Sequence, residues 1–296
     1  MRRSIAVVGA AETTGMGRIP DLSQIGLHAD AALNALADAG LSITDIDGVA
    51  TASESPIALC SHLGIQPKWL DGTGVGGCSF LMHVRHAAAA IEAGLCTTVL
   101  VTHGESGRSQ IGATPLPVTP PDFVEGQFEK PYGAVWAPTV FTVPMLRYMK
   151  RYGVTEEQLA LVPVIQRRWA ALNPRATMRD PITVDDVLNS RMIAYPFRLL
   201  MCCLVSDAGG AVVLTSRERA TDFERPVYII GTGESAETTM VSQLEDFTTS
   251  RAFRTSGELA FAEAGIRHAD VDHLMIYDAF AHLPFYGLED LGFVGR

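Results

Sequence analysis

Apolar positions recur at two spacings along the chain, and the alternation between them predicts the elements. Ser4-Ile-Ala-Val-Val-Gly9 is a short β-branched run ended by glycine, which predicts a buried strand. Residues 26–40 carry Ala and Leu at helical spacing and close on Gly40, a glycine suited to a helix C-terminus. Residues 41–50 return to a strand, and a short helix is expected over 56–64. The chain therefore begins β, α, β.

The stretch 71–106 is the centre of the pattern. Four glycines, at 72, 74, 76 and 77, precede Cys78 and Ser79; an alanine-rich run of helical composition ends at Gly94, and a β-branched run comes next. That reads as turn, buried helix, strand. A glycine-rich turn lets backbone approach a ligand closely, and the first turn of a helix favours negative charge. Cys78 is accordingly either a thiolate candidate or a small buried residue.

Residues 107–196 differ. They hold most of the 16 prolines, two of the 3 tryptophans and the basic cluster Arg147, Lys150, Arg151, Arg167 and Arg168. The segment reads as an excursion from the core, with helices near 138–152, 155–173 and 183–191, the second capped by Thr155. The cluster is either an anion site or a solvated helix face. A buried strand over 202–214 comes after it, with Cys202 and Cys203 read as small buried residues.

Composition narrows the function classes. A chain of 296 residues with 47% hydrophobic residues has material for a large core, and a net charge of −10 argues against a nucleic-acid partner. The 5 cysteines show no CxxC pair and no zinc spacing, so no metal is expected and a reducing cytoplasm is the expected location. The apolar run 5–11 is too short for an export signal, and no run approaches the roughly 20 apolar residues of a membrane span.

The chain also repeats itself. Val7-Val8-Gly9 is echoed by Ile229-Ile230-Gly231, and Ala35-Leu-Ala-Asp-Ala-Gly40 by Ala260-Phe-Ala-Glu-Ala-Gly265. Gly40 and Gly265 stand 225 positions apart, as do Asp45 and Asp270. Two copies of one β-α-β start predict a duplicated fold. The second copy is incomplete: against the first, roughly 90 residues are missing, so a fragment or a partner that covers the gap is expected.

Three separated stretches resemble the thiolase superfamily, and within it the sterol-carrier-protein-type thiolases and their steroid side-chain aldolase relatives. They are residues 78–94 with Gly104-Glu-Ser, then Leu200-Met-Cys-Cys-Leu-Val-Ser-Asp207-Ala-Gly-Gly-Ala, and Tyr277-Asp278-Ala-Phe280 with Gly287-Leu-Glu-Asp-Leu-Gly-Phe293. The resemblance implies an α/β fold of duplicated halves in α-β-α-β-α layers, the second half incomplete, usually as a homodimer. Residues 1–106 and 197–222 would form the N-terminal half, 107–196 a loop domain over the acyl-CoA site, and 223–296 a partial C-terminal half.

The resemblance further implies an acyl-CoA enzyme that makes or breaks a carbon–carbon bond near the thioester, by acyl transfer or by retro-aldol cleavage, in lipid or steroid side-chain metabolism. Coenzyme A is then part of the substrate, and no permanently bound cofactor is expected. Counting back along the helix from Ile91 puts Gly77 in the position of the thiolase nucleophile and Cys78 one step later, a rotation of about 100°. The expected catalytic set is Tyr277, Cys78 and Gly77: Tyr277 stands where these thiolases have histidine and would move a proton, unless it only packs, and N–H groups at Gly77 and Cys78 would polarise a carbonyl. Arg147, Arg151, Arg167 and Arg168 are the expected CoA-binding residues. The family's Gly-His-Pro motif and second cysteine would lie beyond Phe293. A partner-dependent subunit beside a zinc-ribbon and OB-fold acyl-CoA-binding protein is the alternative. A nucleotide-binding reading of Gly231-Thr-Gly233-Glu-Ser-Ala236 is weaker, because a helix should begin within that turn and the sequence predicts one only near Thr249.

Overall fold

In the computed structural model, which describes residues 5–113 and 120–296, the chain divides into two units. The first contains Met1–Pro115, Val205–Gly233 and Leu259–Gly265; the second contains Leu116–Leu204, Glu234–Glu258 and Ile266–Arg296.

The first unit is built on strand β1 (Ile5–Glu12), helix α1 (Gln24–Ala39), strand β2 (Gly48–Thr51), helix α2 (Pro56–Leu63), strand β3 (Trp69–Asp71), helix α3 (Ser79–Glu92) and strand β4 (Thr98–Ser106). Caps explain the helix limits. Ser23 accepts the Gly26 N–H at the start of α1, Pro56 opens α2, and Gly40 and Gly64 close the two helices at φ 67° and 76°. Both helices lie where the sequence pattern places them.

After the excursion the chain returns as strand β7 (Asp207–Ser216), short helix α9 (Arg217–Ala220) and strand β8 (Val227–Ile229). The strands form one mixed sheet in the order β3-β2-β4-β7-β1-β8, with β2 parallel to both neighbours and the remaining pairs antiparallel. Side-chain alternation divides the core in two. Ala6, Val8, Leu100 and Val213 face α1 and α2, whereas Ile5, Val99, Val101 and Leu214 face the alanine-rich side of α3.

Three expectations change. Strand β1 does not end at Gly9 but runs through it, with a register shift between Val7 and Gly9. Residues 41–47 are not strand: a 3-10 turn, Ile43–Asp45, fills that interval, with Asp45 accepting the Ser42 N–H at 2.8 Å. The strand expected from Cys202 begins at Asp207.

The second unit is mainly helical: α4 (Val124–Phe128), α5 (Ala137–Val140), α6 (Thr142–Tyr152), α7 (Glu156–Leu172) and α8 (Val184–Asn189), then the short hairpin β5 (Met192–Ala194) and β6 (Phe197–Arg198). Helix α10 (Arg251–Ala264) runs from this unit into the first, and α11 (Leu283–Asp290) lies near the C-terminus. Thr155 caps α7 as expected, accepting the Gln158 N–H. Met145, Tyr148, Leu159, Val164, Phe197, Phe280 and Tyr286 make the core.

Cys60 and Cys96 are buried, but Cys202 is only partly so, and Cys78 and Cys203 are exposed; none of the five is in a disulfide. The burial expected for Cys203 fails because its own N–H reaches the Ala279 carbonyl at 2.9 Å and the chain then runs out along an exposed stretch to Val205. Among the described residues no helix is long and apolar enough to cross a membrane, and no group of three or more His, Cys, Asp or Glu could hold a metal.

Candidate active site

The glycine turn joins β3 to α3. Gly76 has φ 87°, a conformation that a side chain would strain, and Cys78 is the N-cap of α3 at φ −92°, ψ 3°. Cys78 does not cap the helix with its thiol. Ser79 does the local stitching instead: its hydroxyl accepts the Val75 N–H at 2.9 Å and donates to the Gly76 carbonyl at 2.6 Å. The Ser79 N–H closes on the same carbonyl, which leaves the N–H groups of Gly77 and Cys78 without a hydrogen bond among the described residues.

Three side chains outside the turn hold it, and sequence reasoning had passed over their function. Asp71 accepts the N–H and hydroxyl of Thr73 at 2.9 and 2.7 Å; His83 Nε2 lies 2.9 Å from the Thr73 carbonyl, and His86 Nδ1 lies 2.6 Å from Asp71. Burial pushes the Asp71 carboxyl up, but the bonds from Thr73 and His86 outweigh it and hold the group below the usual range. The signal was present in the sequence as two histidines three apart, one helical turn, following an aspartate and a run of glycines.

Other residues of the family-like stretches shape backbone. Asp207 is fully buried; its carboxylate accepts N–H groups from Ile19, Arg108 and Ser109 at 2.7, 2.8 and 2.9 Å. Burial opposes its charge, yet these bonds and the Ser109 hydroxyl bring it to about 2. A β-carbon on Gly104 would stand 2.7 Å from His28 Cδ2, and one on Gly209 would stand 2.7 Å from the His103 carbonyl oxygen. Gly104 allows α1 to approach the sheet closely, and Gly209 sits against its neighbouring strand β4.

In the second unit the other two stretches meet. Cys203 donates to the Ala279 carbonyl and Ala281 to the Met201 carbonyl, each at 2.9 Å, so 201–203 and 279–281 run as a short antiparallel pair. Tyr277 stands just outside this pair and is half exposed. Asp278 beside it accepts a hydrogen bond from Gln166 of α7, and desolvation raises its carboxyl above the ordinary value. His282 sits among Phe141, Phe197, Phe280 and Tyr286, and burial lowers its pKa to about 3.

The four arginines occupy different settings. Arg147 and Arg151, one turn apart on α6, line a cavity of about 500 Å³ with Val143, Leu244 and Phe247. Glu245 and Asp246 line it too, so two cations face two carboxylates. Arg151 is engaged, reaching Asp246 at 2.7 Å and Thr248 at 3.0 Å. Arg167 donates to the Asp180 carbonyl at 2.8 Å, and Arg168 is exposed on α7. An adjoining apolar cavity of about 350 Å³, sharing Val143 and Phe247, is lined by Phe128, Tyr132 and Val140. Gly77 and Cys78 belong to the first unit; Tyr277 and the arginines belong to the second. The nucleotide-binding pattern at Gly231 fails its structural condition, since no helix starts between 231 and 240.

Comparison with known proteins fits this geometry. Residues 233–296 match a family model described as thiolase C-terminal domain-like. The chain is similar to a 17-hydroxy-3-oxo-4-pregnene-20-carboxyl-CoA lyase of Mycobacterium tuberculosis, 33% identical over 98% of this chain and 79% of that protein. It is similar also to an acetyl-CoA acetyltransferase of Methanothermobacter thermautotrophicus, 29% identical over 99% of this chain and 78% of the relative. Among solved structures, one named Ltp2-ChsH2(DUF35) aldolase superposes with a TM-score of 0.91 at 30% identity, covering 100% of this chain and 78% of that one.

Proposed function

The chain belongs to the thiolase superfamily, in the branch of sterol-carrier-type thiolases and steroid side-chain aldolases, and from that premise we propose that it cleaves a 3-hydroxyacyl-CoA by a retro-aldol step. Membership makes it a thiolase-like enzyme that makes or breaks a carbon–carbon bond near a CoA thioester, with coenzyme A as part of the substrate. The proposal concerns which reaction, and which residues.

The observation that carries it is the glycine at 77. A thiolase needs a nucleophilic side chain in that position, and here the position holds only a backbone N–H, while the thiol one residue later sits at a helix N-cap. Thiolysis loses its nucleophile; an oxyanion site keeps all that it requires. In the retro-aldol step Tyr277 takes the proton of the 3-hydroxyl group, the bond between C2 and C3 breaks to leave a ketone, and the electron pair passes into the thioester as an enolate. The N–H groups of Gly77 and Cys78 stabilise the enolate oxygen, and C2 then takes the proton back from Tyr277, which restores the base.

Arg147 holds a CoA phosphate, with Arg151, Arg167 and Arg168 as weaker contributors because Arg151 and Arg167 already have partners in the chain. The neighbour named for two components supports work beside a second protein. In our reading that partner is an acyl-CoA-binding protein of zinc-ribbon and OB-fold type, and the chain itself is a homodimer in the cytoplasm. A bulky steroid-like acyl group is favoured by the lyase relative.

The test assays retro-aldol cleavage and CoA-dependent thiolysis side by side, with the full chain, Tyr277→Phe and Cys78→Ala. Cleavage is expected, with kcat lowered about 100-fold or more by Tyr277→Phe and changed little by Cys78→Ala. Thiolysis abolished by Cys78→Ala would replace this reading with a cysteine thiolase.

A further inference from the structure

We infer that Asp71, His83 and His86 are positioning residues that clamp the glycine turn into the shape in which the N–H groups of Gly77 and Cys78 remain available to a substrate oxygen. The inference rests on the reading of that turn as the oxyanion site.

Ser79 fixes only the helix-side end of the turn, at Val75 and Gly76, and the residues before it have little else to define their shape. Gly72, Gly74, Val75 and Gly76 are exposed, and a β-carbon on Gly74 or Gly76 would meet nothing within 4 Å. Neither glycine is there for a close contact. An exposed run with four glycines samples many backbone conformations unless bonds restrict it. The restricting bonds come from both ends: Asp71, at the end of β3, grips Thr73 through its N–H and hydroxyl, and His83, from the first turns of α3, grips the Thr73 carbonyl. His86, one turn further along α3, grips Asp71 itself. Strand, turn and helix thus share one closed set of bonds around Thr73.

The chemistry of the acceptors fixes the protons. A carbonyl can only accept, so His83 carries hydrogen on Nε2; a carboxylate accepts likewise, so His86 carries hydrogen on Nδ1. His83 is fully buried, and its Nδ1 is left without a partner. Burial also keeps its ring below the ordinary histidine pKa, against the pull of Asp71, so the neutral ring is the form in place. An apolar residue of similar size would fill this space with no orphaned nitrogen. Core packing therefore gives no reason for histidine here, whereas a donor aimed at Thr73 does.

The experiment uses the full chain and four variants: His83→Leu and His86→Leu, which delete the donors, and His83→Gln and His86→Asn, whose amides can replace Nε2 and Nδ1. Retro-aldol kcat and KM are measured together with amide hydrogen exchange over residues 72–79. The leucine variants are expected to lower kcat by about 10-fold to 100-fold with KM changed less than about threefold, and to speed exchange in the turn. The amide variants are expected to recover most of both. Unchanged kcat in His83→Leu overturns the inference, whether exchange quickens or not, and so does a kcat loss that His83→Gln fails to recover. If the full chain itself cleaves no substrate, the reading of the function falls; the exchange measurement then decides the clamp alone, faster exchange reversed by His83→Gln supporting it and unchanged exchange overturning it.

Discussion

Gly9 passes so close beneath α1 that a β-carbon on it would stand 2.4 Å from the carbonyl oxygen of Ala35, and Gly231 has the same relation to Ala260, at 2.3 Å. Ala39 and Ala264 complete the two contacts at 2.8 and 2.9 Å through their side chains. The repeat in the sequence is therefore a repeat of one packing device, a glycine within a strand (Gly9) or just beyond one (Gly231) under a pair of helix alanines. The same duplication reappears where Asp270 accepts the Arg267 N–H at 2.9 Å, as Asp45 does from Ser42.

From this contact Gly9→Ala is expected to destabilise the protein by roughly 1–3 kcal/mol, because backbone and not a flexible side chain would have to move. Gly231→Ala should cost a similar amount. Urea unfolding checks both, and an unchanged midpoint in Gly9→Ala would mean that α1 shifts at no cost.

Asp207 invites a catalytic reading, since it lies in a family-like stretch, but its geometry makes it the tie between three distant segments. Asp207→Ala would leave the N–H groups of Ile19, Arg108 and Ser109 without their acceptor, for a loss of about 3 kcal/mol or more. Calorimetry and activity at a temperature where the variant is folded separate the two readings. A variant of normal stability with no activity would make Asp207 a catalytic group after all.

How much the sequence discloses depends on the range of each interaction. Helices α1 and α2 were legible because their C-terminal stops are local, Gly40 and Gly64 directly following the residues they close, whereas the Ser23 cap, which starts α1 at Gln24, was not read from the sequence. Gly9 was misread because a glycine needed for close approach looks, in sequence, like one that ends a strand. Asp207 could not be understood alone, since its partner Ile19 lies 188 residues away. His83 and His86 were hidden in an alanine-rich run whose composition announced only a buried helix. Cys78 was singled out by the glycine turn itself, Gly77 and Tyr277 became candidates through the family resemblance, and the bonds that shape the turn became visible only with the fold.

Arg147 is the cleaner test of CoA binding. Replacing Arg151 would also release Asp246, which that arginine meets at 2.7 Å and which Thr248 helps hold at about 2. Arg147→Ala is expected to raise KM for the acyl-CoA about 10-fold with kcat preserved, as the loss of one charge-assisted contact implies. Initial-rate kinetics at two salt concentrations check it, and the difference from wild type should shrink at high salt. A KM equal to wild type would remove Arg147 from the site.

Stability should fall on mild acidification, and histidine is the reason. His28 lies fully buried with Nδ1 2.9 Å from the Thr102 hydroxyl and 3.2 Å from that of Thr51, and burial, with His103 nearby and only Glu105 and the Gly104 backbone opposing, lowers its pKa from 6.5 to about 4. His282 is lowered to about 3 by burial alone. In the unfolded chain both take a proton near 6.5, so below that pH the unfolded state binds more protons and the native state loses stability down to about 4, by roughly 3 kcal/mol for His28. Asp207 and Asp246, held near 2 against an ordinary 3.8, act in the same direction only at lower pH. Urea midpoints measured from pH 7.5 to pH 4.5 should therefore decline well before the carboxylates titrate, and His28→Asn, which keeps a donor beside Thr102 but has no proton to take up, should flatten that decline at some cost in stability at neutral pH. A wild-type midpoint constant down to pH 5 would mean that neither ring is shielded from water in the native protein.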